Sequence, residues 1–147
     1  PALGPVDIEI TYYFDEFTRP GAEENFDNRN TTGSLRKVVY SESMPSFNDY
    51  REVFFDDKGN LMCYYSKLIG STCGEKRIYF NLGKMIKIKF NPLGPPVCPD
   101  EYDPYKLPDF TRYPVKFTKD DLDWEKWVLS YSANHKKAFS GLFGSLQ

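Results

Sequence analysis

The chain has 147 residues, of which 40% are hydrophobic, 27% charged and 17% aromatic; this excludes a disordered chain and predicts a single domain over 1–147 with a buried core. The net charge is −2 and the 19 basic residues are scattered, which argues against nucleic acid, whose binders concentrate basic charge on one face. No apolar run approaches the length of a transmembrane segment, no cofactor motif occurs, and the start at Pro1 reads as that of a processed mature form or of an engineered fragment.

From Asp7 to Phe14 the residues alternate. Ile8, Ile10, Tyr12 and Phe14 point one way; Asp7, Glu9, Thr11 and Tyr13 point the other. That is the pattern of a half-buried strand. Residues 18–34 are rich in Gly, Asn, Asp and Glu and read as a long loop or flap. Leu35 to Ser41 is the next strand, closed by Met44-Pro45-Ser46. Two hairpins then repeat one another. Val53-Phe54-Phe55-Asp56-Asp57-Lys58-Gly59-Asn60-Leu61-Met62-Cys63-Tyr64-Tyr65 is followed by Ile78-Tyr79-Phe80-Asn81-Leu82-Gly83-Lys84-Met85-Ile86-Lys87-Ile88-Lys89-Phe90. Each is an aromatic strand, a turn carrying a glycine, and a second strand. In the last strand Ile86, Ile88 and Phe90 share one face, and Lys87 and Lys89 the other. A β-meander of about six strands is expected over 7–90.

Residues 91–114 carry seven prolines, from Pro92 to Pro114, and cannot form a regular helix or a central strand. They read as an extended arm anchored by Tyr102, Tyr105, Phe110 and Tyr113. A C-terminal helix is expected over 118–140. Thr118 is placed to cap it, and Asp120 and Asp121 lie in its first turn. Its apolar stripe reads Leu122, Trp124, Trp127, Val128, Tyr131, His135, Ala138 and Phe139, and Lys136 and Lys137 are placed near its far end. The fold class is therefore α+β, an antiparallel meander packed on one amphipathic helix with a Pro-rich arm.

The three cysteines, Cys63, Cys73 and Cys98, have no metal-ligand spacing, and His135 is the sole histidine, so no metal site is expected. The odd count allows at most one internal bridge, with Cys73 and Cys98 the better pair. A Cys–His catalytic pair lacks any supporting motif. The acidic groups at Asp56-Asp57, Asp100–Asp103 and Asp120–Glu125 match no calcium loop. The wet face of the sheet is the candidate site. Alternation assigns to it Tyr13, Tyr64, Arg77, Tyr79, Lys87 and Lys89, residue types suited to contact surfaces; Tyr102 and Tyr105 of the arm join them.

The segments Gly33-Ser34-Leu35-Arg36-Lys37-Val38-Val39-Tyr40, Arg51-Glu52-Val53-Phe54-Phe55-Asp56-Asp57-Lys58-Gly59-Asn60-Leu61 and Glu75-Lys76-Arg77-Ile78-Tyr79-Phe80-Asn81-Leu82-Gly83-Lys84-Met85-Ile86 resemble those of small envelope proteins and lipoproteins of Bacteroidetes-type Gram-negative bacteria. The resemblance implies a meander sheet, export to the periplasm or cell surface, and no catalytic residues. The expected function is a non-enzymatic interaction module, an accessory subunit of an envelope assembly with protein partners. A small inhibitor or immunity protein that binds one enzyme or toxin is the first alternative. A small-ligand binder with a pocket between helix and sheet is the second.

Overall fold

The computed structural model describes residues 6–18, 31–44, 47–70, 73–94 and 108–143. Seven antiparallel strands form one sheet in sequential order: β1 (Asp7–Thr18), β2 (Thr31–Met44), β3 (Phe47–Phe55), β4 (Leu61–Ile69), β5 (Gly74–Asn81), β6 (Lys84–Pro92) and β7 (Phe110–Arg112). A 3₁₀ turn, Pro114–Lys116, leads into helix α1 (Lys119–Phe143). The expected α+β meander is present. The strand beyond the expected six is β7, which lies inside the Pro-rich region where no proline interrupts Phe110-Thr111-Arg112.

The repeat seen twice in the sequence occurs three times in the structure. In β1–β2, Tyr13 faces Lys37 and Phe14 faces Leu35, so Arg36 is the extra residue of a bulge. In β3–β4, Phe54 faces Cys63 and Phe55 faces Leu61, leaving Met62 as the extra residue. In β5–β6, Tyr79 faces Lys87 and Phe80 faces Met85, leaving Ile86. The bulges of β3–β4 and β5–β6 sit within two pairs of the hairpin turn, whereas that of β1–β2 lies further in, with the pairs Asp15↔Ser34 to Thr18↔Thr31 beyond it. They explain one correction: Ile86 does not share a face with Ile88 and Phe90. It is 43% exposed, and Met85 takes the buried position instead. An extra residue shifts the two-residue alternation by one.

The buried side of the sheet is a row across the strands, Tyr12–Val38–Val53–Tyr64–Ile78–Ile88. With Leu35, Phe55, Leu61, Phe80 and Met85 it packs against Val128 and Phe139 of α1. The helix crosses the hairpin-turn half of the sheet. Glu125 accepts a hydrogen bond from the Met85 N–H of β6 (2.6 Å). Further along, Lys136 donates to the Gly59 carbonyl in the β3–β4 turn (2.8 Å), and Phe139 reaches Phe14 of β1, ring centroids 5.3 Å apart.

The helix starts as expected from Thr118. The Asp121 N–H donates to Thr118 Oγ1 (3.2 Å) and the Thr118 N–H donates to Asp121 Oδ2 (2.8 Å), a reciprocal cap. Arg112 of β7 closes it with two bonds to the Asp121 carboxylate, 2.8 and 2.7 Å. Asp121 is therefore buried and Leu122 exposed, the reverse of the apolar-stripe reading. The helix also runs on to Phe143, so Lys136 and Lys137 are not in its last turn; Lys136 grips the Gly59 carbonyl instead.

Candidate interaction face

Because α1 covers one side, the alternation leaves a second sheet face that no helix covers among the described residues. Two rows cross it. The first is Tyr13–Lys37–Phe54–Cys63–Tyr79–Lys87, and the second Thr11–Val39–Glu52–Tyr65–Arg77–Lys89–Thr111. The face thus brings together five of the residues assigned to it: Tyr13, Arg77, Tyr79, Lys87 and Lys89. Tyr64 is a correction. It faces Val53 and Ile78, is 1% exposed, and lies under α1 against Trp124, Trp127 and Tyr131. The bulge at Met62 puts Leu61 and Tyr64 on the same side, which simple alternation forbids. Tyr102, Tyr105 and Cys98 lie outside the described residues. Cys73 is disulfide-bonded and Cys63 is a free thiol.

Cations on this face lie over aromatic rings. Lys37 Nζ is 5.6 Å from the Tyr13 centroid and 5.1 Å from that of Phe54. The Arg77 guanidinium is 5.2 Å from Tyr65. Lys87 Nζ is 5.4 Å from Tyr79 and 5.8 Å from Tyr113. Such pairs attract the cation to the ring face and hold a long side chain flat. Carboxylates fix the tyrosines. Tyr50 donates to Glu52 (2.6 Å) and Tyr65 to Glu75 (3.0 Å), with the two rings edge to face at 6.2 Å. The bond to Glu52, then burial, pushes Tyr50 up to about 12; burial, then Glu75, does the same to Tyr65. Both stay neutral donors at any physiological pH. Lys37 also pairs with Glu52 and Arg77 with Glu75. The Tyr50 and Tyr65 hydroxyls and the Lys37, Arg77 and Lys87 cations of this face are thus held by partners on it.

The helix side carries a second set of cations that the sequence reading missed. Arg51 pairs with buried Asp49 and lies 4.9 Å from Tyr40, 5.2 Å from Trp127 and 5.5 Å from Tyr131, measured to ring centroids. Lys76 lies over Trp124. The signal was available: Arg51 and Lys76 share the parity of Val53 and Ile78, so alternation alone turns them inward. His135 Nδ1 is 3.2 Å from the Tyr12 hydroxyl, and burial, then Arg51, lowers its pKa, so it is neutral at pH 7. His135 and Cys63 are on opposite faces of the sheet and cannot form a nucleophile–base pair. Burial pushes the Cys63 thiol up to about 11, so it is no ready thiolate. A concavity of about 460 Å³ opens beside the start of α1, its described lining being Asp120, Asp123, Trp124 and Trp127. Among the described residues no group of three or more His, Cys, Asp or Glu is placed to hold a metal ion, and no helix is long and apolar enough to cross a membrane.

Comparison with protein-family models, with curated proteins and with solved structures finds no match. Geometry alone defines the class: a seven-stranded meander with one helix-covered face and one aromatic, cationic face.

Proposed function

We propose that the protein is a non-enzymatic interaction module, an accessory subunit of a bacterial envelope or cell-surface assembly, and that it holds a protein partner on the face away from α1. The observation that supports this most is the set of pre-fixed ring and cation pairs Lys37–Tyr13, Arg77–Tyr65 and Lys87–Tyr79. Side chains ordered before binding lose little entropy on binding, and Tyr and Arg are the residue types that dominate interface energetics. The disulfide at Cys73 fits an oxidising compartment such as the periplasm.

The test is native co-purification with cross-linking, using the wild type and a Tyr79→Ala/Arg77→Glu/Lys89→Glu variant. A stoichiometric set of envelope proteins, cross-linked through this face and lost in the variant, is the expected result. One tightly bound enzyme would favour the inhibitor reading. Undiminished capture by a folded variant would remove the face from consideration. The concavity beside Trp124 and Trp127 favours a small-ligand reading as second choice, which a thermal-shift screen against small molecules addresses.

A further inference from the structure

One corner of the molecule is apolar, exposed and ringed by lysines. The β5–β6 turn is Leu82-Gly83, with φ of 48° and 75°. A two-residue turn with both φ values positive suits Asn-Gly or Gly-Gly. Leucine there is strained, and it recovers nothing by packing, because it is 83% exposed. Ile86, displaced outward by its bulge, is 43% exposed.

The chain beyond β7 runs back along β6 toward the same tip. Arg112 faces Ile88, so the following residues, through the turn Pro114–Lys116, lie beside the first half of β6. They present Tyr113, 55% exposed, and Val115, 99% exposed. Lys87 Nζ approaches the Tyr113 ring, which ties the two segments into one patch.

Lys84 pairs with Asn81 at the turn, Lys87 lies at Tyr113, and Lys116 and Lys119 follow Val115 in the chain, all but Lys87 exposed. Of the carboxylates in the first turns of α1, Asp121 is paired with Arg112 and Asp123 with Lys126; Asp120 and Glu125, which accepts the Met85 N–H, keep their charges and are outnumbered by the four lysines. Apolar side chains at a protruding tip within a collar of lysines match a bilayer surface bearing anionic headgroups. The apolar groups enter the acyl boundary and the ammoniums meet the phosphates.

We propose that this corner, Leu82, Ile86, Tyr113 and Val115 with Lys84, Lys87, Lys116 and Lys119, is a docking site for an anionic lipid bilayer. The strain at Leu82 has a reason on this reading: the position trades backbone comfort for an apolar tip. The site borders the partner face and shares Lys87 with it, but its four apolar side chains lie outside the two rows of that face.

The probe is vesicle co-sedimentation at low ionic strength, comparing phosphatidylcholine alone with phosphatidylcholine containing phosphatidylglycerol. The full chain is expected to partition at least tenfold more strongly onto the anionic vesicles and to be released by salt. Leu82→Asn and Val115→Asp should each lower partitioning several-fold. Leu82→Asn should simultaneously raise the unfolding midpoint, because asparagine tolerates positive φ, so a folding defect cannot mimic the result. The Tyr79→Ala/Arg77→Glu/Lys89→Glu variant should retain apolar-tip binding, and Leu82→Asn should retain the protein partner, which separates this proposal from the preceding one. Equal binding to neutral vesicles, undiminished binding by the Leu82 and Val115 variants, or binding to polyaspartate as tight as to vesicles would overturn it.

Discussion

The ammonium of Lys76 sits 3.4 Å from the centroid of the Trp124 ring, half-buried between β5 and α1. Burial drives its pKa down to about 8, with Asp121 acting weakly the other way. The charged form is therefore disfavoured in the folded state relative to the unfolded chain, where a lysine titrates near about 10.4. The cost is fully present below pH 8 and fades as pH rises from about 8 toward about 10.4. The ring face returns part of it, about 1–2 kcal/mol.

Lys76→Met keeps the stem and removes the charge. It should stabilise the fold by about 1–2 kcal/mol at pH 7, and the gain should shrink to near zero by pH 10. Urea unfolding at the two pH values checks this. A variant less stable than wild type at pH 7 would show that the cation–ring contact outweighs desolvation.

The Asp121 carboxylate behaves in the opposite sense. Burial works to raise its pKa, but the Thr118 N–H, Arg112 and the Thr118 hydroxyl together hold it below the usual range. The resulting stability is present above about pH 4, the unfolded value, and is lost as pH falls through the folded one. Asp121→Asn should cost about 2 kcal/mol at pH 7 and flatten the acid limb of the stability profile. Thermal unfolding between pH 2.5 and 7 measures both.

The bulges make a register prediction. Met62→Lys and Ile86→Lys should change stability by no more than about 0.5 kcal/mol, since both side chains point to solvent. Tyr64→Ala should cost about 3–5 kcal/mol and shift tryptophan emission, because Tyr64 touches Trp124 and Trp127. If the alternation continued through Met62, the two sets of outcomes would be exchanged.

Cys63 should be a poor nucleophile. With its thiol pushed up to about 11, the thiolate fraction at pH 7.5 falls on the order of a hundred-fold below that of a free cysteine. Iodoacetamide labelling of the native protein, read by peptide mass spectrometry, should therefore be slow at Cys63 and accelerate steeply above pH 10. Rapid labelling at pH 7.5 would contradict the burial that causes the shift.

Local periodicity carries most of this architecture. Ile8 to Phe14 alternates cleanly, Val53 to Phe55 and Ile78 to Phe80 are marked as strands by their aromatic residues and the glycine turns that follow, and Thr118 with Asp121 marks the helix start; each of these is decided within a few residues. What periodicity does not carry is a register change. Arg36, Met62 and Ile86 look like ordinary strand residues, and only pairing across the hairpin shows them to be extra. Tyr64 was misplaced for that reason. The third repeat was hidden because residues 19–30 separate its halves, whereas residues 56–60 and 82–83 suffice in the other two hairpins. The Leu82 conformation was equally invisible, since asparagine or a second glycine is the usual resident of its position. The inward cations Arg51 and Lys76 break the expectation that charge marks the wet face, and they do so because Trp124, Trp127 and Tyr131 supply a π surface that sequence spacing does not assign to a partner.

The path of α1 over the hairpins sets a limit on size. From Glu125 over β6 to Phe139 over β1 the helix advances about 21 Å at about 1.5 Å per residue, and the five intervening strand gaps span about 24 Å at about 4.8 Å each. The helix axis therefore lies almost perpendicular to the strands and acts as a gauge of sheet width. A fourth copy of the hairpin unit would add two gaps, about 10 Å, and would need roughly six or seven more helical residues to roof it. Growth of such a sheet is quantised: hairpins and helical turns must be added together, or the newest strands stand unroofed.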